Sequence, residues 1–418
     1  MGPLKDRCTV VVIGGGPGGA ACAIALKKLA EELGRRIRVI LYEGKIFADS
    51  THYNQCAGVL SPPIAALLEQ DLRVAFPWHL VQREIKGYVL HSASQEITLI
   101  ENGEVTYALR RVNFDEYMLQ QAAQSGVEVI QSRVTDIEIG ASGVEVYSES
   151  SNSRADVVVG AFGLDDGTAR IFERATPYRQ PSFFSSIVTK IHPGESFMAG
   201  VNNYIHAFLP PIKGIEFGAI TPKMNHLTVN IAGMAINSGL MDRFLDFSPV
   251  REILPPSFGH HENRPLYFKG KFPFGTGKGF YGDRYVIVGD AAGLLRPFKG
   301  KGVNTSIVTA IRAAKTIMLH GISAEAFERY YRDRCKEVID DIPYGKILRW
   351  LAIRAANTRL LDAVIELSRE DKVLRNALFH CVSAHKTFKR IFHDTWSVRL
   401  LFRVLRHLTR FYSSGMNH

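Results

Sequence analysis

The sequence predicts an α/β fold in three parts. Residues 8–43 have the pattern of a parallel-sheet unit: an apolar strand, a glycine-rich turn, a helix and a second strand. Residues 176–273 are instead rich in aromatic and β-branched residues, which favours a separate, mostly antiparallel sheet. Because a buried-type strand returns at Tyr285–Val288, we expect the first domain to be interrupted by that sheet and then resumed. Beyond residue 325 the apolar spacing is helical.

The composition is that of an ordinary globular protein. The chain has 418 residues, enough for two or three packed units, and it is 46% hydrophobic and 22% charged. Its five cysteines are scattered and form no CxxC pair, so no metal site is predicted and a reducing cytoplasm is the expected location. The apolar stretch Thr9–Leu26 contains five glycines and a proline, which favours a strand, turn and helix over a signal peptide or membrane span.

The first glycine-rich turn predicts a dinucleotide site. It satisfies the pattern GxGxxG directly after the strand Cys8–Ile13 and opens a helix. In such a turn the first glycine allows a tight bend, the second lets the backbone approach a pyrophosphate, and the third permits close packing of helix on strand. The helix N-terminus then faces the phosphates. The predicted cofactor-binding residues of this turn are Gly14, Gly16, Gly18 and Gly19.

Glu43 lies at the end of the second strand, which we expect over Ile37–Tyr42. An acid at this place accepts hydrogen bonds from a ribose hydroxyl, and a glutamate fits an adenosine that has no 2′-phosphate. The alternative is an incidental carboxylate at a strand end. With the turn before it, Glu43 favours a Rossmann-like domain.

A second glycine block lies far downstream. The strand Tyr285–Val288 runs into the sequence GDAAG at residues 289–293, and Pro297, Gly300, Gly302 and Asn304 follow at short spacing. This block resembles the GDAAGxxxPxxGxGxN signature of the flavoprotein family that includes p-hydroxybenzoate hydroxylase and the geranylgeranyl reductases. The resemblance implies two dinucleotide-binding turns that hold one FAD. The FAD-binding residues that it implies here are Gly289, Asp290, Gly300, Gly302, Val303 and Asn304.

Within this resemblance, Asp290 is expected to bond a ribityl hydroxyl. A helix that begins near Gly302 is expected to direct its N-terminus at the pyrimidine edge of the isoalloxazine. The physics agrees, because reduced flavin carries negative charge near N1 and O2, which a helix N-terminus stabilises.

The resemblance extends to residues between the two glycine blocks. Arg111 heads a predicted helix, where the family's arginine lies near the FAD pyrophosphate, and Val134 lies in the strand that usually touches adenine. One motif departs from the family: ADGxxSxxR is here replaced by a segment in which Phe162 stands for the aspartate and Arg170 comes one residue late. Because this motif serves NAD(P)H-dependent hydroxylation in the family, the departure counts against a hydroxylase.

Two residues are candidates for the catalytic chemistry. Cys56 lies in the segment NQCAGVLSP, which resembles the CGG loop of geranylgeranyl reductases, where the cysteine lies close to the flavin. His206 lies in YIHAFLP, which resembles a segment that lines their substrate cavity, with histidine in place of tryptophan. Either residue could donate a proton. The alternatives are a buried, inert thiol and a plain core strand.

The formal charge of +10 is concentrated in the last eighty residues. Apolar residues recur at helical spacing over Phe388–Tyr412, with four arginines on another face, which is typical of a helix that lies in a membrane interface. A basic helix packed on its own domain is the alternative. Nucleic acid is not expected as a partner, because no binding motif accompanies the charge.

These patterns together predict an FAD-dependent reductase of carbon–carbon double bonds in an isoprenoid or similar lipid, in the cytoplasm or on the inner face of a membrane. NAD(P)H and a reduced carrier protein both stay open as electron donors. The rival hypotheses are a flavin monooxygenase and a non-catalytic flavin-binding membrane protein. The expected domains are an FAD-binding domain at 1–80, 105–175 and 275–325, a substrate-binding sheet at 81–104 and 176–274, and a helical region at 326–418.

Overall fold

The computed structural model describes residues 1–47, 56–100, 105–256, 258, 265–295, 302–383 and 386–395. The strands of this part of the chain are β1 (Thr9–Ile13), β2 (Arg38–Glu43), β3 (Val59–Leu60), β4 (Val81–Ile85), β5 (Gly87–His91), β6 (Glu96–Leu99), β7 (Thr106–Leu109), β8 (Glu128–Gln131), β9 (Val134–Ile139), β10 (Val144–Ser148), β11 (Asn152–Ala155), β12 (Val157–Gly160), β13 (Phe183–Ile191), β14 (Tyr204–Phe208), β15 (Phe217–Pro222), β16 (Leu227–Gly233), β17 (Phe268–Pro273), β18 (Tyr281–Gly282) and β19 (Tyr285–Ile287).

The helices of the same ranges are α1 (Pro17–Glu32), α2 (Ile64–Ala66), α3 (Arg111–Gln124), α4 (Asp166–Ala175), α5 (Glu195–Gly200), α6 (Ser238–Leu245), α7 (Ser248–Arg251), α8 (Gly302–Leu319), α9 (Ala324–Phe327), α10 (Lys336–Ile339), α11 (Asp341–Asn357), α12 (Leu360–Ser368), α13 (Lys372–Ser383) and α14 (Phe388–Thr395). Short turns of 3-10 or π geometry lie at Leu67–Asp71, Trp78–Leu80, Gly289–Ala292, Glu328–Arg332 and Asp333–Cys335.

A parallel sheet forms the centre of the first domain. Its described strands follow the order β18-β19-β12-β1-β2-β8, and only β18 runs antiparallel to its neighbour. The central strands are apolar along their whole length because both of their faces are covered, and Val10–Val12 and Val157–Val159 are fully buried. Helices α1 and α8 pack against each other at glycine and serine, since a Cβ at Gly18 would lie only 3.3 Å from Cβ of Ser306.

A second large sheet has the order β17-β13-β16-β15-β14-β5-β6. All of its pairs are antiparallel except β14 with β5, as the β-branched and aromatic composition predicts. Two three-stranded sheets accompany it, β11-β10-β9 and β3-β7-β4. The strand β4 therefore pairs with β7 and not with the large sheet, although β5 and β6, which follow it directly, belong to that sheet.

Helices α11–α14 follow in the C-terminal region. Apolar residues of α12 and α13, such as Ile365 and Phe379, pack against Leu90 of β5 and Ile205 of β14. No helix in the described residues is long and apolar enough to cross a membrane. The predicted α/β class, with a parallel sheet, a mostly antiparallel sheet and a helical C-terminal region, is confirmed.

Candidate active site

The two glycine turns predicted from the sequence line one cavity. Its volume is 650 Å³, within the range of small-molecule and cofactor sites. The cavity opens at the carboxyl ends of the parallel strands, where ligands of such sheets bind. The predicted cofactor-binding residues that line it are Gly14, Gly16, Gly18, Glu43, Arg111, Val134, Gly289 and Asp290. The residues from distant parts of the chain therefore converge.

The first turn has the geometry that its glycines permit. Gly14 has a φ of +107°, and a Cβ there would lie 2.5 Å from the carbonyl oxygen of Ala161. A Cβ at Gly19 would lie 1.8 Å from the carbonyl oxygen of Gly14, so Gly19 serves the packing of α1 on β1 and does not line the cavity. Gly16 differs from both, because a Cβ there would meet no protein atom within 4 Å. The space beside Gly16 is thus available to a ligand.

Glu43 bridges the first turn and the strand end. Its Oε2 accepts a hydrogen bond from N of Gly15 at 2.6 Å, and its Oε1 accepts one from N of Lys45 at 2.7 Å. Because each carboxylate oxygen has two lone pairs, Glu43 can still accept from a ribose hydroxyl. The carboxylate lines the cavity while being held in place by the backbone.

Asp290 is the most telling residue of the second turn. The residue lines the cavity, and its Oδ1 is buried with no hydrogen-bond partner among the residues that the structure describes. Burial raises the pKa of Asp290, and the positive charge of Arg111 opposes that rise. A buried carboxylate oxygen of this kind costs free energy unless a donor meets it. A ribityl hydroxyl would supply that donor, so the site fits FAD.

Arg111 lies at the first position of α3 and forms an ion pair with Asp115, with 2.6 Å between Nε and Oδ1. Burial disfavours its charge, but Asp115, Cys56 and Asp290 together raise the pKa of Arg111 above its ordinary value. The guanidinium is therefore a permanent cation beside the turn at Gly14–Gly18, where a pyrophosphate needs one.

The start of α8 departs in part from the sequence expectation. Gly302, Val303 and Asn304 form the first turn of α8 but do not line the cavity. Nδ2 of Asn304 instead donates to the carbonyl oxygen of Ser61 at 2.9 Å. Asn304 thereby fixes the loop that follows Cys56. Gly300 lies outside the described residues.

The segment that departs from the family motif still contributes to the cavity wall. Phe162 lines the cavity and stacks on Phe172, with ring centroids 5.1 Å apart. Asp165 accepts a hydrogen bond from N of Thr168 and so caps α4. An aromatic ring thus occupies the place where the family has a carboxylate.

Cys56 lies at the edge of the site and not in the wall of the 650 Å³ cavity. It is exposed, and its Sγ accepts a hydrogen bond from N of Gly58 at 3.3 Å. The thiol is close enough to influence the charges of both Arg111 and Lys223. It therefore stands between the cofactor cavity and the large sheet, while Asn54 and Gln55 lie outside the described residues.

His206 is buried in the large sheet and does not line the cavity. Its Nδ1 shares a hydrogen bond of 2.9 Å with Nε2 of His91, and Nδ1 of His91 lies 3.2 Å from Oε2 of Glu96. Burial lowers the pKa of His206 to about 4 and that of His91 to about 3. His206 is thus a neutral core residue at pH 7, and its role as an acid remains a prediction that this geometry does not favour.

Several contributors were not singled out from the sequence. Ser306 lines the cavity and lies beneath both glycine turns, and its Oγ would be only 2.6 Å from a Cβ at Gly289. Lys45 and Arg133 add positive charge to the cavity wall near Glu43. Ser306 could have been predicted from the sequence, because it is a small residue one helical turn after Gly302. Arg133 could not, because it lies in no motif.

The fold and the site together place this protein in the class of FAD-dependent oxidoreductases with two dinucleotide-binding turns. A solved geranylgeranyl bacteriochlorophyll reductase-like protein of Thermoplasma acidophilum matches with a TM-score of 0.70 and 18% identity, covering 94% of this chain and 99% of that one. The p-nitrophenol 4-monooxygenase of Pseudomonas putida matches with a TM-score of 0.66 and 18% identity, over 91% and 98% of the two chains. At these identities the likeness shows the fold.

Within that class, the sequence is related to geranylgeranyl reductases. Digeranylgeranylglycerophospholipid reductase 1 of Methanopyrus kandleri is 26% identical over 355 residues, which cover 79% of this chain and 87% of that protein. Geranylgeranyl diphosphate reductase of Synechocystis is 23% identical over 338 residues, 74% and 75% of the two chains. No protein-family model matches. The resemblance stated from the two glycine blocks is confirmed by these relatives.

Proposed function

We propose that this protein is an FAD-dependent oxidoreductase that reduces carbon–carbon double bonds of an isoprenoid or similar lipid. The observation that carries the proposal is the convergence of both glycine turns on one cavity, which is also lined by Asp290, whose Oδ1 has no partner in the described part of the chain. The relatives named geranylgeranyl and digeranylgeranylglycerophospholipid reductases support the reductase chemistry and the isoprenoid substrate class. The names of these relatives give less support to the alternative of a monooxygenase.

Bound FAD in its reduced form supplies hydride to a substrate. The residues described here would hold it at both ends. Gly16 and the N-terminus of α1 would receive the pyrophosphate together with Arg111, and Glu43 would accept from the ribose. Asp290 would accept from the ribityl chain. The N-terminus of α8 would stabilise negative charge that develops on the ring system.

Cys56 is proposed to donate or position the proton that completes double-bond reduction. It lies in the loop that Asn304 and Leu109 hold, through hydrogen bonds to Ser61 and Gly58. A fixed loop is needed because a proton donor must stay within hydrogen-bond reach of its acceptor. Cys56→Ser retains a proton donor of similar size that is a weaker acid, whereas Cys56→Ala removes the proton donor.

Turnover of a polyprenyl lipid by the purified, chemically pre-reduced protein tests the function. Saturation of double bonds, followed by mass spectrometry, is expected to add two hydrogens per double bond and to reoxidise the flavin. Cys56→Ala is expected to slow this step while leaving flavin reduction unchanged. No lipid product across several chain lengths, from a protein that retains and reduces its flavin, would contradict the proposal.

The same preparation separates the two rivals. A monooxygenase would oxidise NAD(P)H rapidly in air when an aromatic substrate is present, and Phe162 in place of the family aspartate weighs against that outcome. A non-catalytic flavoprotein would accept electrons from dithionite and pass them to no lipid. We further propose NAD(P)H or a reduced carrier protein as the electron donor.

We also propose peripheral association with the inner face of a membrane through Phe388–Tyr412. The described part of this segment is α14, whose Phe388 and Ile391 are buried against the protein. The rest of the segment, 396–412, lies outside the described residues. Sedimentation of the intact chain with anionic vesicles, compared with a chain ending at residue 395, tests the membrane contact.

A further inference from the structure

Five basic side chains meet at one end of the large sheet, and we call them the basic cluster: Arg110, Lys190, His192, Lys223 and His226. Lys223 and His226 close the hairpin between β15 and β16, where N of Lys223 donates to the carbonyl oxygen of His226 at 2.9 Å. Lys190 and His192 lie at the end of the neighbouring strand β13. Arg110, which directly follows β7, lies close to both of these strand ends.

The sheet register places the cluster on one face. Lys190 and Thr221 are both paired with Thr228, so these three residues share a row and a face. Side chains two positions apart along a strand point the same way. Lys223 follows Thr221 by two residues and His226 precedes Thr228 by two, so both continue that face at the strand ends.

The positive charge of the cluster has no carboxylate partner among the described residues. In the part of the chain that the structure describes, no carboxylate oxygen lies within 4.0 Å of Arg110, Lys190 or Lys223. Lys223 is only 2% exposed, and one of its three donors is used, in a bond of 2.8 Å to the carbonyl oxygen of Leu109. Nε of Arg110 and Nε2 of His226 are buried with no partner.

Burial and mutual repulsion lower the pKa values of the lysines and histidines in the cluster. Burial is the largest cause that lowers the pKa of Lys223 to about 8; Cys56 opposes the shift, and repulsion from Lys190 and Arg110 contributes to it. Burial, together with repulsion from the other four members of the cluster, lowers the pKa of His226 to about 3. The buried ammonium of Lys223 is therefore costly, and an anion that binds beside it would lower that cost.

The basic cluster adjoins the loop that borders the cofactor cavity. A Cβ at Gly58 would lie 2.8 Å from Nζ of Lys223, and the carbonyl oxygen of Gly58 accepts from N of Leu109 at 2.8 Å. The same loop is tied to the start of α8 through Asn304 and Ser61. A molecule anchored at Lys223 could therefore extend past Cys56 toward the flavin end of the site.

We propose that the basic cluster binds the phosphate or diphosphate group of the substrate, so that this protein reduces anionic prenyl lipids in preference to neutral ones. The inference rests on the proposed reductase function for the identity of the lipid, whereas the anion site rests on the cluster alone. Lys223, Lys190 and Arg110 would donate charge-assisted hydrogen bonds to the phosphate oxygens. The prenyl chain would then run from this fixed end toward the flavin.

The first experiment measures binding of inorganic pyrophosphate to the FAD-loaded protein by calorimetry, in chloride buffer at pH 7. Binding to the wild-type protein is expected. Lys223→Met and Lys190→Met should each weaken it about 10- to 100-fold, the loss of one charged hydrogen bond. Lys213→Met, an exposed lysine of the same domain outside the cluster, should bind like wild type. Flavin absorbance and Tm verify folding, and Lys223→Arg retains the charge if methionine is not tolerated.

The second experiment compares a prenyl diphosphate with the prenyl alcohol of the same length as substrates. The two methionine variants should raise KM for the diphosphate about 10-fold and leave KM for the alcohol within about twofold. Pyrophosphate binding that is absent, or that the cluster variants do not change, overturns the anion site. Pyrophosphate binding with an unchanged KM for the diphosphate overturns the headgroup assignment, and normal pyrophosphate binding without turnover of any lipid counts against the reductase function alone.

Discussion

Replacing Lys223 by methionine is expected to remove a pH-dependent instability of the protein. The folded state lowers the pKa of Lys223 from 10.5 to about 8, because burial and the neighbouring cations disfavour the ammonium form. Between these two values the unfolded chain binds more protons than the folded one, so stability rises with pH through this window. Below pH 8 the folded protein bears the whole cost of the buried charge.

The size of this effect follows from the shift. A difference of about 2.5 pKa units corresponds to roughly 3 kcal/mol at pH 7, and most of it, roughly 2 kcal/mol, disappears by pH 10. Methionine has a similar volume and no charge, so the variant lacks this dependence. It also leaves the carbonyl oxygen of Leu109 without its donor, which costs about 1 kcal/mol at either pH.

Urea unfolding of the FAD-loaded protein at pH 7 and pH 10, without phosphate, measures the effect. The free energy of unfolding of the wild type minus that of Lys223→Met should rise by roughly 2 kcal/mol between the two pH values. Other titrating groups cancel in this difference, and Lys213→Met serves as the control that should show no rise. An equal response of wild type and Lys223→Met to pH would refute the reasoning that the buried ammonium is uncompensated.

Three further predictions address the cofactor turn, the histidine pair and the basic cluster. Gly16→Ala should leave the Tm of the flavin-free protein unchanged, since its Cβ meets no protein atom within 4 Å, but should lose FAD on gel filtration because the Cβ enters the space for the cofactor. Gly19→Ala, whose Cβ would lie 1.8 Å from O of Gly14, should lose more than about 2 kcal/mol of stability. Equal effects of both changes on Tm would contradict this account of the turn. His206 should destabilise the protein as the pH falls from 6.5 toward 4, because its folded pKa of about 4 means that the unfolded chain takes up the proton first. Urea unfolding measures this effect: between pH 7 and pH 4.5 the free energy of unfolding should fall by about 2 kcal/mol less for His206→Gln than for the wild type. At pH 8, pyrophosphate binding should be accompanied by uptake of up to about half a proton, because Lys223 is half-protonated there and an anion raises its pKa. Calorimetry in buffers of different ionisation enthalpy measures the proton exchange, and the difference between the wild type and Lys223→Met removes the protons that pyrophosphate itself exchanges. An uptake by the wild type no greater than that by Lys223→Met would count against Lys223 as the contact.

The sequence alone was enough to predict the two glycine turns that line the cofactor cavity. The strand β1, the glycine turn and helix α1 are consecutive in the chain, and their geometry follows from local steric rules, as the positive φ of Gly14 illustrates. The second block could be placed beside the first because its pattern resembles a known flavin signature. The predicted strand at Tyr285–Val288 and the helix predicted to begin near Gly302 accordingly agree with β19 and α8 within about a residue.

Only the tertiary structure decided what the isolated side chains do. Asn304 has the right motif position, yet its amide donates to Ser61, some 240 residues away in the chain. His206 has a catalytic residue type, but its partner His91 comes from a different strand and burial makes it neutral at pH 7. Arg110, Lys190 and Lys223 carry no motif at all. They form a cluster only because sheet pairing brings half-buried Lys190 and Arg110 close to the buried ammonium of Lys223, where an unpaired charge is costly.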